Sequence, residues 1–330
     1  MRLVIPVAGR GTRLRPHTLL HPKPLLNVAG KPIIAHILDG IPLKYVKDIV
    51  LIINPDGERI KHFVEEYSGK ETHTVVQDEP LGLGHAIFTA SEYLEDEVLI
   101  ILGDTIVEAD LTEYVKNKTD FLGLKEVQDP RRFGVAMLDK EGLIYELEEK
   151  PEKPRSKFAL VGLYYLKNSS KLKDALSYIV ENNIKTRGEY QLTDALALLL
   201  ERGWRPKPLF IDGWYDCGKV DALLETNKIL LSKSTESYDF PTSLIIPPVY
   251  IGKDVVVEYS IVGPYVSIND GSVVKNSILR NTIVNDGAYI ENFILEGSLI
   301  GRNAVIKGNY RKLNIADYSE FIMEGGSSSE

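Results

Sequence analysis

Up to residue 231 the chain alternates short, unbroken aliphatic runs with stretches in which apolar side chains recur every three or four positions. The runs at 3–7, 49–53, 74–77 and 98–102 are short and rich in Val, Ile and Leu, so each predicts a buried strand. The periodic stretches at 33–38, 58–66, 85–93, 171–181, 192–201 and 220–231 predict amphipathic helices. Strand–helix alternation implies an α/β fold, Rossmann-like, with a mixed, mostly parallel sheet covered on both faces. Ligands of such sheets sit beyond the carboxyl ends of the strands. At 133–147 a β-hairpin is expected around Asp139-Lys140-Glu141-Gly142.

After residue 232 the pattern changes. Residues 233–244 are polar and read as a linker. Beyond them aliphatic residues recur every five or six positions, as in Ile251, Val257, Val262, Ile268, Val274 and Leu279, with turn formers such as Ile268-Asn269-Asp270-Gly271 between. Neither a helix nor a hairpin meander has this period. It predicts a hexapeptide-type left-handed parallel β-helix over 245–312, with ~18 residues per coil and three to four coils. The domain reading is therefore 1–232, the linker, the β-helix, and an extension over 313–330 whose Gly-Ser end is expected to be disordered.

Composition narrows the function. A net charge of −8 argues against a general nucleic-acid binder, and no apolar run approaches the ~20 residues of a membrane span. The single cysteine, Cys217, leaves no internal disulfide and suits a reducing cytoplasm. Charge is nevertheless uneven. From Met1 to Leu38 there is no Asp or Glu, yet Arg2, Arg10, Arg13, Arg15, Lys23 and Lys31 fall there. A cationic segment in an acidic chain suits a small polyanion. Within it, Ala8-Gly9-Arg10-Gly11-Thr12-Arg13 follows the first strand. A Gly-rich strand-to-helix turn lets backbone N–H groups approach phosphate without Cβ clashes. It is neither a P-loop nor a G-x-G-x-x-G turn, because no Gly-Lys-Ser/Thr closes it and position 14 is Leu. Asp104 and Asp216 follow or end apolar runs. A lone Asp there is ordinarily a turn former, but two such carboxylates can hold Mg²⁺ while leaving room for water and phosphate oxygens.

The run Gly9-Arg10-Gly11-Thr12-Arg13-Leu14-Arg15-Pro16, followed by Pro22-Lys23-Pro24-Leu25, resembles the signature of sugar-1-phosphate nucleotidylyltransferases. Further blocks match in order: Gln77 with Gly82-Leu83-Gly84-His85-Ala86, Leu102-Gly103-Asp104, Phe133-Gly134-Val135 with Glu149-Lys150-Pro151, Arg187-Gly188-Glu189 with Thr193-Asp194, and Trp214-Tyr215-Asp216-Cys217-Gly218. With a β-helix attached, the chain resembles the long-form glucose-1-phosphate thymidylyltransferases. The resemblance implies that Arg13 meets the triphosphate tail, that Lys23 reaches the reacting phosphates, and that Lys150 holds the sugar phosphate. Asp104 and Asp216 would hold Mg²⁺. Ala8, Gly9, Gly11 and Thr12 would line the nucleotide, Gln77 and Gly82 would read a pyrimidine, and Gly134, Glu149 and Val161 would shape the sugar pocket. The implied partners are dTTP or UTP and a sugar 1-phosphate, glucose 1-phosphate first.

The chemistry is consistent with those residue types. The attacking phosphate oxygen is already ionised at neutral pH, so no general base is required. Two polyanions must meet while charge moves to pyrophosphate, which calls for cations, a metal and rigid positioning. Departures from the family pattern are Ala8 where Gly is common, Thr105 where Asn is common, and His85 where thymidylyl enzymes carry Gln. Ala and His at these places resemble uridylyl enzymes, so a UTP-dependent enzyme for glucose or N-acetylglucosamine 1-phosphate is the alternative. A β-helix acetyltransferase would use a histidine base, and every histidine lies at or before His85. A non-catalytic relative would have lost charged site residues, which are all present. The signature residues all precede residue 232, so the β-helix is expected to stabilise or assemble the enzyme. Its open aliphatic faces suggest a homo-oligomer.

Overall fold

The computed structural model describes residues 1–55 and 57–308; the extension expected over 313–330 and the last residues assigned to the β-helix lie outside them. In chain order, the strands that build the first part are β1 (Arg2–Pro6), β2 (Ile49–Ile53), β3 (Thr72–Val76), β4 (Val98–Ile101), β5 (Thr105–Glu108), β6 (Phe121–Glu126), β7 (Gly134–Leu138), β8 (Ile144–Glu149), β9 (Phe158–Leu166), β10 (Lys207–Phe210) and β11 (Gly213–Asp216). The helices are α1 (Ile33–Asp39), α2 (Glu58–Ser68), α3 (Leu83–Thr89), α4 (Thr112–Lys116), α5 (Ser170–Glu181), α6 (Leu192–Glu201) and α7 (Val220–Leu231).

Among the described residues a nine-stranded mixed sheet forms the first core, in the order β8-β7-β9-β4-β1-β2-β3, with β6 on β9 and β10 on β6. The β4-β1-β2-β3 half is parallel, and β9 joins β4 antiparallel. Side-chain alternation along β1 explains the two layers. Leu3 and Ile5 enter a core completed by α1, α2 and α7, whereas Val4 enters the core of α3, α5 and α6. The hairpin β7–β8 pairs Gly134 with Glu149. A separate ribbon, β5–β11, sets Thr105 opposite Asp216. No described helix is long and apolar enough to cross a membrane.

Two local expectations need correction. The Gly-rich turn does not lead into an α-helix. It passes through Gly11 at φ 58° into a single 3₁₀ turn, Thr12–Leu14, and α1 begins only at Ile33. Pro16, Pro22, Pro24 and Pro32 punctuate the interval and remove backbone donors that a continuous helix needs. The helix expected at 85–93 instead starts at Leu83 and ends at Thr89, followed by a 3₁₀ turn at Ser91–Tyr93. Gly82, at φ 114°, sets the start.

After α7 the chain winds into three parallel sheets, each of four short strands among the described residues, with successive strands passing to successive sheets. This is the stacking of a left-handed β-helix. Its coils are tighter than ~18 residues: Ile261 pairs with Ile278 and Ile278 with Ile294, so a coil takes 17 residues and then 16. The economy comes from corners held by one left-handed residue, stacked as Asp254, Gly271, Gly287 and Asn303, and as Tyr259, Asn276 and Asn292. Asn and Gly tolerate that conformation best. Inside, Val262, Ile268, Val274, Leu279 and Ile290 form a separate apolar core. Ser260 Oγ accepts from the Ser277 N–H and Ser277 Oγ from the Phe293 N–H, so buried hydroxyls rise as a ladder.

The β-helix is joined to the sheet domain through a polar hub. Asn227 of α7 is fully buried; its Oδ1 accepts from the Ala29 N–H (2.8 Å) and the Ser267 hydroxyl (2.6 Å), and its Nδ2 donates to Tyr265 O. Ile283 of the β-helix also enters the core cluster that contains Leu14, Leu26 and Val28. The loop between the first strand and α1 meets the coils at Gly30, where an added Cβ would stand 2.5 Å from the Tyr250 ring.

Candidate active site

Beyond the carboxyl ends of β1, β2 and β4 opens a cavity of about 430 Å³. This is the position that an open parallel sheet offers a ligand. Its lining includes Ala8, Gly9, Gly11, Thr12, Arg13, Lys23, Gln77, Gly82 and Asp104, so residues far apart in the chain converge. Gly134, Glu149, Lys150, Val161 and Asp216 lie outside that lining. Asn54 and Glu189, which carried no assigned role in the sequence, lie within it.

At the floor, Lys23 is buried in a 3₁₀ turn and its ammonium lies 2.8 Å from Asp104 Oδ2. The Thr105 hydroxyl donates to Asp104 Oδ1 at 3.1 Å. Thr105, a departure from the family pattern, thus supports the carboxylate it follows. Asp216 ends β11 directly alongside, because the Cys217 N–H donates to the Asp104 carbonyl at 3.2 Å. Asp216 Oδ1 accepts from the Gly218 N–H (2.7 Å), and its Oδ2 has no hydrogen-bond partner among the described residues. Two neighbouring, solvent-reached carboxylates are a hard-oxygen donor set of the kind Mg²⁺ takes, with water and phosphate oxygens completing its shell. No group of three or more His, Cys, Asp or Glu side chains converges among the described residues. Cys217 itself is buried and its thiol is pushed up to about 12 by burial, so it is an inert core group.

On the opposite wall, Gln77 follows β3 and is buried. Its Nε2 donates to Gly82 O (3.3 Å) and lies 3.2 Å from His85 Nδ1. Gly82 and Gly84 let the start of α3 abut the chain at Tyr190. A Cβ on Gly82 would lie 2.5 Å from Tyr190 O, and the Gly84 N–H donates to that carbonyl at 2.8 Å. That contact between distant segments has no signature in the hydrophobic period.

A second group gathers at the mouth of the β7–β8 hairpin. Lys150 Nζ lies 2.9 Å from Glu149 Oε1. Lys150 adopts φ 45°, and its carbonyl accepts from Arg187 at 2.7 Å. A Cβ on Gly134 would stand 3.0 Å from Glu149 Oε2 and 2.9 Å from the Thr193 hydroxyl, so glycine keeps this corner open. Asp194 Oδ2 is buried without a hydrogen-bond partner; burial raises the pKa of the carboxyl, opposed by the Thr186 side chain and reinforced by the charge of Glu149. Val161 lies in β9, 1 % exposed and packed in the core.

The chain is 32% identical over 313 residues to a glucose-1-phosphate thymidylyltransferase of Streptomyces griseus, covering 86% of this chain and 87% of that one. It is 39% identical over 234 residues to the bifunctional protein GlmU of Methanocaldococcus jannaschii, covering 71% of this chain but only 55% of the relative, so it spans about half of that protein. The crystal structure of a UDP-glucose pyrophosphorylase complexed with UDP-glucose superposes with a TM-score of 0.61 at 23% identity, over 71% of this chain and 99% of that one, which supports the fold. Residues 3–233 match the nucleotidyl transferase family, and the chain belongs to it.

Proposed function

We propose that this sugar-1-phosphate nucleotidyltransferase takes dTTP in preference to UTP, joins its nucleoside monophosphate to glucose 1-phosphate, and releases pyrophosphate in an Mg²⁺-dependent reaction. The observation that carries the choice of thymine or uracil over cytosine is the Gln77 amide. Its Nε2 is engaged by Gly82 O and His85, which leaves Oε1 as an acceptor. Thymine and uracil present N3–H to such an acceptor, and their O4 suits a backbone N–H such as that of Gly82. Cytosine presents the reversed pattern, and a base that leaves a buried polar group unpaired is rejected strongly.

The reaction follows from charge and position. A phosphate oxygen of the sugar 1-phosphate attacks the α-phosphorus, and the bond to the β-phosphate oxygen breaks as pyrophosphate leaves. Lys150 and Glu149 hold the sugar phosphate and a sugar hydroxyl, while Gly134 leaves space for the ring, with Val161 behind it. Arg13, with backbone N–H groups of the Gly9–Thr12 turn, meets the triphosphate tail. Lys23 adds positive charge where the two phosphates converge. Held by Asp104 and Asp216, Mg²⁺ would supply charge to the phosphate oxygens. Electrostatic catalysis is strongest where such groups are held in place before reaction.

A second reading is a UTP-dependent uridylyltransferase acting on glucose or N-acetylglucosamine 1-phosphate. His85, Ala8 and the likeness to a GlmU protein favour it. The β-helix adds an assembly role: its first sheet presents the ladder Leu244, Ile261, Ile278 and Ile294 outward, with Leu244 and Ile294 well exposed, which supports a homo-oligomer. The test is pyrophosphate release with Mg²⁺, each of dTTP, UTP, CTP, ATP and GTP, and glucose or N-acetylglucosamine 1-phosphate. We expect dTTP and UTP to be used within about 1–3 kcal/mol of each other, the worth of one methyl group. A purine preference overturns the proposal, and exclusive use of UTP moves the chain to the second reading.

A further inference from the structure

We propose that His85 is a positioning residue for base selection, holding the Gln77 amide with its carbonyl oxygen toward the cavity. The inference rests on the reading of Gln77 as the base contact and adds what fixes its orientation. A glutamine amide has nearly the same shape when flipped, so orientation is decided by partners alone. Gly82 O can only accept, and it lies 3.3 Å from Nε2. His85 Nδ1, 3.2 Å away, takes the second amide hydrogen provided that nitrogen carries no proton. A flipped amide would then set its oxygen against a carbonyl oxygen and a ring lone pair together.

The surroundings hold the imidazole in the required state. Burial lowers the pKa of His85, opposed by the charge of Glu79 on the preceding loop. The ring stacks on Tyr190, with centroids 6.2 Å apart and planes 27° apart, and Lys185 lies over the same Tyr190 ring at 4.7 Å. Neutral His85 must place its hydrogen on Nε2 to leave Nδ1 bare. Protonated His85 would turn Nδ1 into a donor facing another donor, and the amide would lose its anchor.

The experiment has one arm on the native protein and one on variants. In the native chain, ¹⁵N NMR of the His85 ring at neutral pH should find the Nε2–H tautomer, and Nδ1–H overturns the proposal whatever nucleotide the enzyme uses. In His85→Leu, the ratio of dTTP to CTP specificity constants should fall about fivefold to tenfold, the worth of one buried hydrogen bond. His85→Asn places its Oδ1 where Nδ1 stood and should recover most of that ratio, whereas a general packing defect would lower both variants alike. An unchanged ratio in His85→Leu, or equal loss in both variants, overturns it. A purine preference in the native enzyme would instead fail the base reading, leaving the tautomer to judge His85.

Discussion

Lys23 is a buried cation beside a half-exposed carboxylate: the Asp104 side chain keeps 47% of its surface, the Lys23 side chain 9%. Asp104 balances an ammonium that has little water, and in the proposed reaction it would also offer oxygen to a metal. Asp216 would serve the metal alone, since it is exposed and pairs with no cation among the described residues. Their amide variants should differ accordingly. Asp104→Asn and Asp216→Asn should each lower turnover roughly 10²-fold or more, because a lost ligand removes several kcal/mol of charge stabilisation. Only Asp104→Asn should also lower the melting temperature, since it strips Lys23 of its counter-charge. Rates at saturating Mg²⁺ and thermal melts separate the two effects. Near-normal turnover in both variants would remove them from the metal site. At this scale the contiguous motifs carry Arg13, Lys23 and Asp104, which the fold brings to one cavity. It was silent on Glu189 and on the Thr105 hydroxyl, whose places depend on how distant loops meet.

Elements were legible where one physical signal dominated. The all-aliphatic β2 and the helices α6 and α7 fall where their hydrophobic periods put them. Misreadings occurred where glycine or proline serves a tertiary contact. The start of α3 is set by its approach to Tyr190 and Gln191, which period counting cannot see. Gly84 has an ordinary helical backbone, so only space forbids a side chain there: a Cβ would lie 2.9 Å from the Gln191 carbonyl. Gly84→Ala should push α3 away from that segment and loosen both Gln77 and His85. We expect a loss of roughly 1–3 kcal/mol in stability, the usual cost of overpacking, together with a higher KM for the triphosphate. Urea unfolding and steady-state kinetics measure both, and an unaltered KM would show that this helix start does not shape the base wall. Coil length was misjudged for a related reason, since a left-handed Asn, Asp or Gly at a corner turns the chain in fewer residues than a full hexapeptide allows.

At the scale of the molecule, two cores meet along one seam. The cavity is lined wholly from the sheet domain, through Gly218, yet the loop that carries Arg13 and Lys23 meets the coils where Gly30 abuts the Tyr250 ring, and Asn227 ties α7 to Ala29 and Ser267. The sequence separated the two parts by composition, but their seam depends on single residues such as Asn227 that no periodicity marks. Because each coil touches only its neighbours, the stacked corners have a consequence for how this chain tolerates insertions and deletions: its C-terminal length is quantised. Excising 271–286 joins one corner to its equivalent at Gly287, brings Asn269 beneath Ile300, and sets Leu299 where Ile283 stood, since those residues stack in register. Such a deletion should fold, melt cooperatively and keep pyrophosphate release, while removing one residue fewer would turn every inward aliphatic of the next strand toward water. If calorimetry finds both deletions equally stable, the corners do not set the register; if only the whole-coil deletion survives, this region can lengthen or shorten only in steps of a complete turn.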